Sequence, residues 1–237
     1  MRLFVYMLIN RCAQGLKGRS YTIDPSIPLS AILGIGCRRL FSLLRSLFAG
    51  FSWRKKLFLG PSVELRNRSL LRFGNGVTLG RGVLIDGLSR EGVLIGDHVN
   101  IGDFTRIEAS GTITGIGKGI SIGTNSGIGA FSFIGGAGGV VIGNDVIMGQ
   151  WVSFHPENHN YNYLNVPIRL QGVNRQGIVV EDDCWIGAKV TFLDGAHVGR
   201  GSIIGAGSVV RGVIPAYSIV AGVPARVIRS RKQEDIS

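Results

Sequence analysis

Cysteine is scarce in this chain: three in 237 residues, Cys12, Cys37 and Cys184. The number is odd and no Cys-x-x-Cys pair occurs, so a disulfide framework and a zinc ribbon are both unsupported, and a reducing, cytoplasmic setting is favoured. Long apolar runs are missing from the start. Leu3 to Ile9 is seven residues long, at the lower limit for a signal-peptide core and too short to span a bilayer, and no convincing small-x-small cleavage site follows it. Acid is almost absent from residues 1–60, which carry ten Lys/Arg against Asp24 alone, a balance of +9. Residues 61–237 carry sixteen bases against fourteen acids, so the overall +11 belongs to the N-terminal part. A strong basic balance invites a nucleic-acid reading, but most of the chain is close to neutral and no nucleic-acid motif occurs, so no such partner is expected.

Glycine is abundant instead, with 37 residues, and it marks a rhythm. Val180, Ile186, Phe192, Val198, Ile204 and Val210 follow one another at intervals of six. Four residues after each of the first five stands a second, mostly smaller residue: Cys184, Val190, Ala196, Ser202 and Ser208. The same beat runs upstream through Leu79 and Ile85, through Ile95, Ile101 and Ile107, through Ile116, Ile122, Ile128 and Ile134, and through Ile142, Met148 and Phe154. A period of six matches neither a helix nor a plain alternating strand. It describes a chain that turns a corner every six residues and returns an apolar side chain inward each time, and glycine takes the strained corner angles cheaply. A glycine-rich sandwich or barrel would alternate without sustaining that period. With 45% hydrophobic residues the chain buries a real core.

The pattern resembles the hexapeptide-repeat proteins over roughly residues 73–228, and the number of repeats makes the resemblance specific. It implies an all-β fold, a left-handed parallel β-helix in which three hexapeptides make one triangular coil. The expected organisation is a basic N-terminal appendage over 1–60, a β-helix domain over 61–228 and a polar tail over 229–237. Cys184 falls on an inward position and reads as a small buried hydrophobe. Within the appendage the spacing predicts an amphipathic helix over about 38–51. Leu40, Leu44, Leu47 and Phe51 share one face with Phe41 and Phe48 beside them; Arg38, Arg39, Ser42, Arg45 and Ser46 take the other. Two compatible roles are open for it. One is a cap on the exposed end of the β-helix, which repeat folds need. The other is attachment to an anionic membrane surface, at the inner face of the cytoplasmic membrane, through residues 38–56, helped by Trp53, Arg54, Lys55 and Lys56.

One interruption of the beat is far larger than the others, between Phe154 and Val180. Loops on a rigid scaffold carry function more often than the scaffold does. This one, 155–177, holds His155-Pro156-Glu157-Asn158-His159-Asn160-Tyr161 and then Pro167-Ile168-Arg169-Leu170-Gln171-Gly172, with two of the four histidines of the chain. Histidine is the side chain best suited to take and return a proton near neutral pH.

The loop, together with Asp182-Asp183-Cys184-Trp185-Ile186-Gly187-Ala188 and with Ala221-Gly222-Val223-Pro224-Ala225-Arg226-Val227-Ile228, is similar to the hexapeptide-repeat O-acetyltransferases, and most of all to those acting on bacterial surface polysaccharides. The resemblance implies acetyl-CoA as donor, no metal, a homotrimer and a carbohydrate hydroxyl as acceptor. It makes His159, eight residues before Pro167-Ile168, the catalytic base of a direct transfer without a covalent acetyl-enzyme. Many members carry an aspartate three or four residues after that histidine; here Asn162 and Tyr163 stand there, and Glu157 is the candidate to orient the imidazole in its place. His155 and Asn158 support the loop or the acceptor. Trp185, Gly187, Ala206 and Gly207 line the pantetheine arm, and Arg226 meets the nucleotide phosphates. A free sugar or a xenobiotic is the alternative acceptor. A zinc lyase of the γ-carbonic-anhydrase type is the rival chemistry; it requires three converging histidines, and His98 and His197 lie far from the loop in sequence.

Overall fold

The computed structural model describes residues 23–232 other than 25 and 111. Cys12, the Leu3–Ile9 apolar run and the last five residues lie outside the described residues. The chain forms a left-handed β-helix of seven triangular coils, with parallel strands stacked into three faces. The first face runs from Phe58–Leu59 to Ile203–Ile204, the second from Glu64–Arg66 to Val209–Val210, and the third from Leu71–Phe73 to Val213–Ile214. Two further strands, Ser218–Gly222 and Ala225–Ser230, extend the first face, the last one antiparallel.

The six-residue beat becomes three inward columns. Leu79, Ile101, Ile128, Met148 and Ile186 stack behind the first face, and Ile85, Ile107, Ile134, Phe154 and Phe192 behind the second, each at most 5% exposed. Phe154 and Phe192 stack with ring centroids 4.5 Å apart at the level where the long loop leaves. Burial of each such side chain contributes about 1.5–3 kcal/mol, which offsets the entropy of a backbone with so many glycines. Cys184 is buried, 2% exposed, at the inward position expected of it.

Three expectations shift. The β-helix begins one coil earlier than the legible beat, at Phe58. Ile116 is not an inward repeat residue: the chain between Ala109 and Ile120 is extruded at a corner, and Ile120 and Ile122 carry the column instead. The polar tail is shorter than 229–237, because Arg229 and Ser230 belong to the closing strand.

The appendage forms one helix, α1 (Leu29–Phe48), which starts nine residues earlier than expected and ends three earlier. It packs on the first coil, but not with the face its composition suggests. Ser46 is its buried residue, and Ser42 and Leu43 are half-buried beside it. Arg45 Nη1 donates to the Leu59 carbonyl at 3.2 Å, and the Arg39 guanidinium lies 4.6 Å above the Phe58 ring. Arg68 of the first coil closes the seam by donating to the Ala49 carbonyl at 2.6 Å. The serine–arginine side covers the open end of the β-helix. Leu33, Leu40, Phe41 and Phe48 are left 57–90% exposed.

Candidate active site

Residues 155–177 leave the corner between the second and third faces and return as a short antiparallel hairpin. Asn158 pairs with Asn174, and His159 with Val173. Asn160 N–H donates to the Gly172 carbonyl at 3.0 Å and extends the ladder. The tip is closed by Gln171, whose Oε1 accepts from the Tyr163 N–H at 3.0 Å while its Nε2 donates to the Tyr163 and Val166 carbonyls at 2.8 and 2.7 Å. His159 thus sits on a hydrogen-bonded hairpin rather than on a loose excursion. Its side chain is exposed and takes no hydrogen bond among the described residues. An imidazole so placed is open to an incoming group.

The hairpin is tied to the wall at two points the sequence did not reveal. The first is Asp194, 8% exposed. Its carboxylate accepts from the Gln176 N–H at 2.9 Å and the Gly177 N–H at 2.8 Å, and from Asn158 Nδ2 at 3.5 Å. One buried carboxylate therefore holds both arms of the loop, next to His159 on one side. An acid between Leu193 and Gly195 in an apolar stretch was its only mark in the sequence. The second tie is Arg175. Its Nε donates to Glu157 Oε2 at 2.6 Å, and its guanidinium reaches the Gly115 carbonyl at 3.1 Å and the Ile116 carbonyl at 3.4 Å. It fastens the catalytic-loop candidate to the 109–119 excursion below.

That pairing corrects the expectation for Glu157. Its carboxylate is engaged by the guanidinium of Arg175 rather than by an imidazole, so it stands as a tether of the loop. Replacing Arg175 with alanine is expected to cost about 1–3 kcal/mol of stability, because it removes a largely buried ion pair and the donor to two carbonyls. Limited proteolysis checks the local effect, with faster cleavage inside 155–177 as the expected result.

His155 packs its ring against Phe133, centroids 5.7 Å apart, and burial pushes its pKa below the ordinary 6.5. The folded state thus favours the neutral ring. Above pH 6.5 folded and unfolded chains are both neutral there and the group adds no pH dependence. Between 6.5 and its lower folded value the unfolded chain takes up a proton that the folded chain refuses, so stability drops as the pH is lowered. Thermal melts from pH 7.5 to 5.5 are expected to fall less steeply for His155→Gln than for the parent chain.

The residues assigned to the acetyl-CoA arm lie elsewhere. Trp185 stands on the first face, 56% exposed. Pairing puts it in one row with Ile203, Ile219 and Arg229. At about 4.8 Å between strands, that row is about 14 Å long. Arg226 is exposed on the closing strand opposite Ala221, near the same edge. Gly207 has φ +72°, and a Cβ built there meets no atom within 4 Å. With exposed Ala206 beside it, it leaves open ground where a slender arm approaches the backbone. Gly187 has a different reason to be glycine: a Cβ would lie 2.5 Å from the Ala206 nitrogen of the next coil, so coil stacking alone demands it. The exposed row and the open ground fit an extended chain ending in phosphates. The first face lies across the prism from the corner that bears the hairpin, so one chain does not bring His159 and Trp185 together.

The other two histidines are also apart. His98 occupies a left-handed corner, and His197 on the third face bonds Glu181 at 2.7 Å. Among the described residues no group of three His, Cys, Asp or Glu is placed to hold a metal ion.

Comparison with known proteins agrees with the architecture. The family model for the bacterial transferase hexapeptide (six repeats) matches residues 177–212. A probable acetyltransferase of Mycobacterium tuberculosis is 39% identical over 39% of this chain and 31% of its own length. The putative lipopolysaccharide biosynthesis O-acetyltransferase WbbJ of Escherichia coli is 27% identical over 72% of this chain and 76% of its own. The chain therefore spans about a third of one of these relatives and three quarters of the other. Among solved structures, a point mutant of AntD, an N-acyltransferase from Bacillus cereus, in complex with dTDP and coenzyme A, shares the fold at TM-score 0.51 and 19% identity, over 75% of this chain and 81% of that one. Stacked hexapeptide coils with an extruded polar hairpin define the class as hexapeptide-repeat proteins. Residues 177–212 match the model of the bacterial transferase hexapeptide, and the relatives named here are acyltransferases.

Proposed function

We propose that this protein is an acetyl-CoA-dependent O-acetyltransferase that acetylates a sugar hydroxyl of a bacterial surface polysaccharide or its precursor, in the cytoplasm. The observation that carries the reading is His159: a free imidazole on a braced hairpin outside the repeat wall. Similarity to WbbJ over three quarters of that protein supports the polysaccharide class of acceptor. His159 takes the proton of the acceptor hydroxyl while the oxygen attacks the thioester carbonyl. The imidazolium then gives that proton to the leaving sulfur as the carbon–sulfur bond breaks. The products are an acetyl ester and a free thiol, with no acetyl group passing through the protein. General-base help of this kind is worth about 10²–10⁴ in rate.

Trp185, Ala206 and Gly207 would hold the arm of the donor, and Arg226, with Arg229 at the end of the Trp185 row, its phosphates, where guanidinium pairs well with phosphate oxygens. Acetyl-CoA supplies the activated acyl group when bound. His159 and this row lie on opposite sides of one prism, so a complete site requires the hairpin of one copy against the first face of another, which favours the homotrimer. Glu157 and Asn158 act by holding the hairpin, and His155 lies beside it against Phe133. The experiment is mass spectrometry of lipid-linked and free sugar acceptor pools from cells with and without the active protein. A one-acetyl mass shift, matched by thiol release from acetyl-CoA in vitro, is expected. Acetylation confined to small free sugars or to xenobiotic alcohols would replace the polysaccharide reading.

A further inference from the structure

The outward face of α1 has no partner among the described residues. Leu33, Leu40, Phe41, Leu44, Leu47 and Phe48 fall within one arc of the helix, and all are at least 37% exposed, Phe48 at 90%. Trp53, in the turn that follows, is 66% exposed. Contiguous apolar surface of this kind marks an interaction site. What it meets is constrained by charge. Residues 1–60 carry +9, and Arg38 of the helix and Arg54 and Lys56 of the turn after it are exposed and make no ion pair among the described residues. A second copy of the helix would bring two such fields together. Residues 1–22 would add four further bases and no acid. An anionic surface with an apolar interior satisfies both features at once. No described helix is long and apolar enough to cross a membrane, so α1 would lie in the interface rather than span it.

We propose that α1 is a two-sided element: its serine–arginine side caps the first coil, and its apolar side docks the protein onto an anionic lipid bilayer. Capping consumes Arg39, which lies over the Phe58 ring, and Arg45, which donates to the Leu59 carbonyl, and leaves Arg38, Arg54 and Lys56 for lipid headgroups. The amphipathic pattern is therefore inverted relative to a helix that merely covers a core. The proposal stands independently of acetyl transfer.

The test is cosedimentation of the full-length chain with vesicles of phosphatidylglycerol mixed into phosphatidylcholine, against phosphatidylcholine alone, at low and high salt. Binding to the anionic vesicles that weakens with salt is expected. Charge reversal of Arg38, Arg54 and Lys56 to Glu should lower partitioning by on the order of 100-fold or more. Phe41→Ser with Phe48→Ser should also lower it strongly, while the thermal melt and the oligomeric state stay unchanged, because both rings are already exposed. Equal pelleting with neutral and anionic vesicles, or none with either, overturns the proposal. So does a serine double variant that keeps its vesicle binding, or one that loses oligomeric state, since another copy would then be the occupant.

Discussion

His159→Ala is expected to lower acetyl transfer by about 10²–10⁴-fold while leaving the melting temperature and the oligomeric state as they are. The two halves of that result have separate causes. The ring is exposed on the hairpin and bonds nothing among the described residues, so its loss belongs with surface substitutions, which usually change stability by less than about 0.5 kcal/mol. The chemical loss follows from the proton transfer that the attack requires. A sugar hydroxyl is a poor nucleophile until its proton is taken in the course of attack, and the neighbouring candidates among the described residues are already engaged. Glu157 is committed to Arg175, and His155 packs on Phe133. Steady-state thiol release from acetyl-CoA, with acceptor present, measures the effect. An alanine variant that keeps its rate removes His159 from the mechanism, and the His155→Gln variant would then be the one to assay. His159→Gln is expected to resemble alanine, because an amide of the same reach accepts a hydrogen bond but does not take the proton.

What the chain disclosed in advance depended on whether it was written periodically. The column from Leu79 to Val210 was legible because a corner every six residues leaves the same residue type inward at each pass, and a stack of coils repeats that demand many times. The interruption after Phe154 was legible for the same reason, as a break in an otherwise steady beat. Features set by one contact were not. Asp194 and Arg175 act through hydrogen bonds to groups 17 to 60 residues away, and nothing in their immediate sequence announces the partners. Glu157 illustrates the error this causes. Its nearness to His159 in sequence suggested a pair, whereas the hairpin register brings Arg175 across to it. Ile116 fitted the beat by accident, because it stands six residues before Ile122 although it lies in the excursion. The helix failed differently. Its amphipathic pattern was read correctly, but the usual rule that the apolar side faces the core was reversed, because the end of the β-helix presents backbone carbonyls such as that of Leu59 and takes arginine donors.

The second large effect is expected at Asp194, a residue that touches neither reactant in the proposed reaction. In Asp194→Ala the N–H groups of Gln176 and Gly177 lose their acceptor, and Asn158 loses its contact with the wall. Partly buried donors left unpaired cost about 1–3 kcal/mol, a fall measurable by chemical denaturation. The kinetic consequence is larger in its meaning than in its size. His159 follows Asn158 directly, so releasing that arm displaces the imidazole relative to a donor bound on another face. A displacement of about 1 Å is enough to cost on the order of 100-fold in the chemical step. The loss should appear in kcat, with KM for acetyl-CoA nearly unchanged, because Trp185, Ala206 and Gly207 lie across the prism from the anchor. Asp194→Asn separates positioning from mere folding. Its side-chain oxygen is able to accept from both Gln176 and Gly177 where Oδ1 now does, while the amide nitrogen replaces the oxygen facing Asn158. Stability should therefore return in large part and kcat only in part. If Asp194→Asn restores both together, the carboxylate serves the fold alone. If Asp194→Ala keeps full kcat, the hairpin holds His159 without help from the wall, and the ladder of Asn158–Asn174 and His159–Val173 is sufficient by itself.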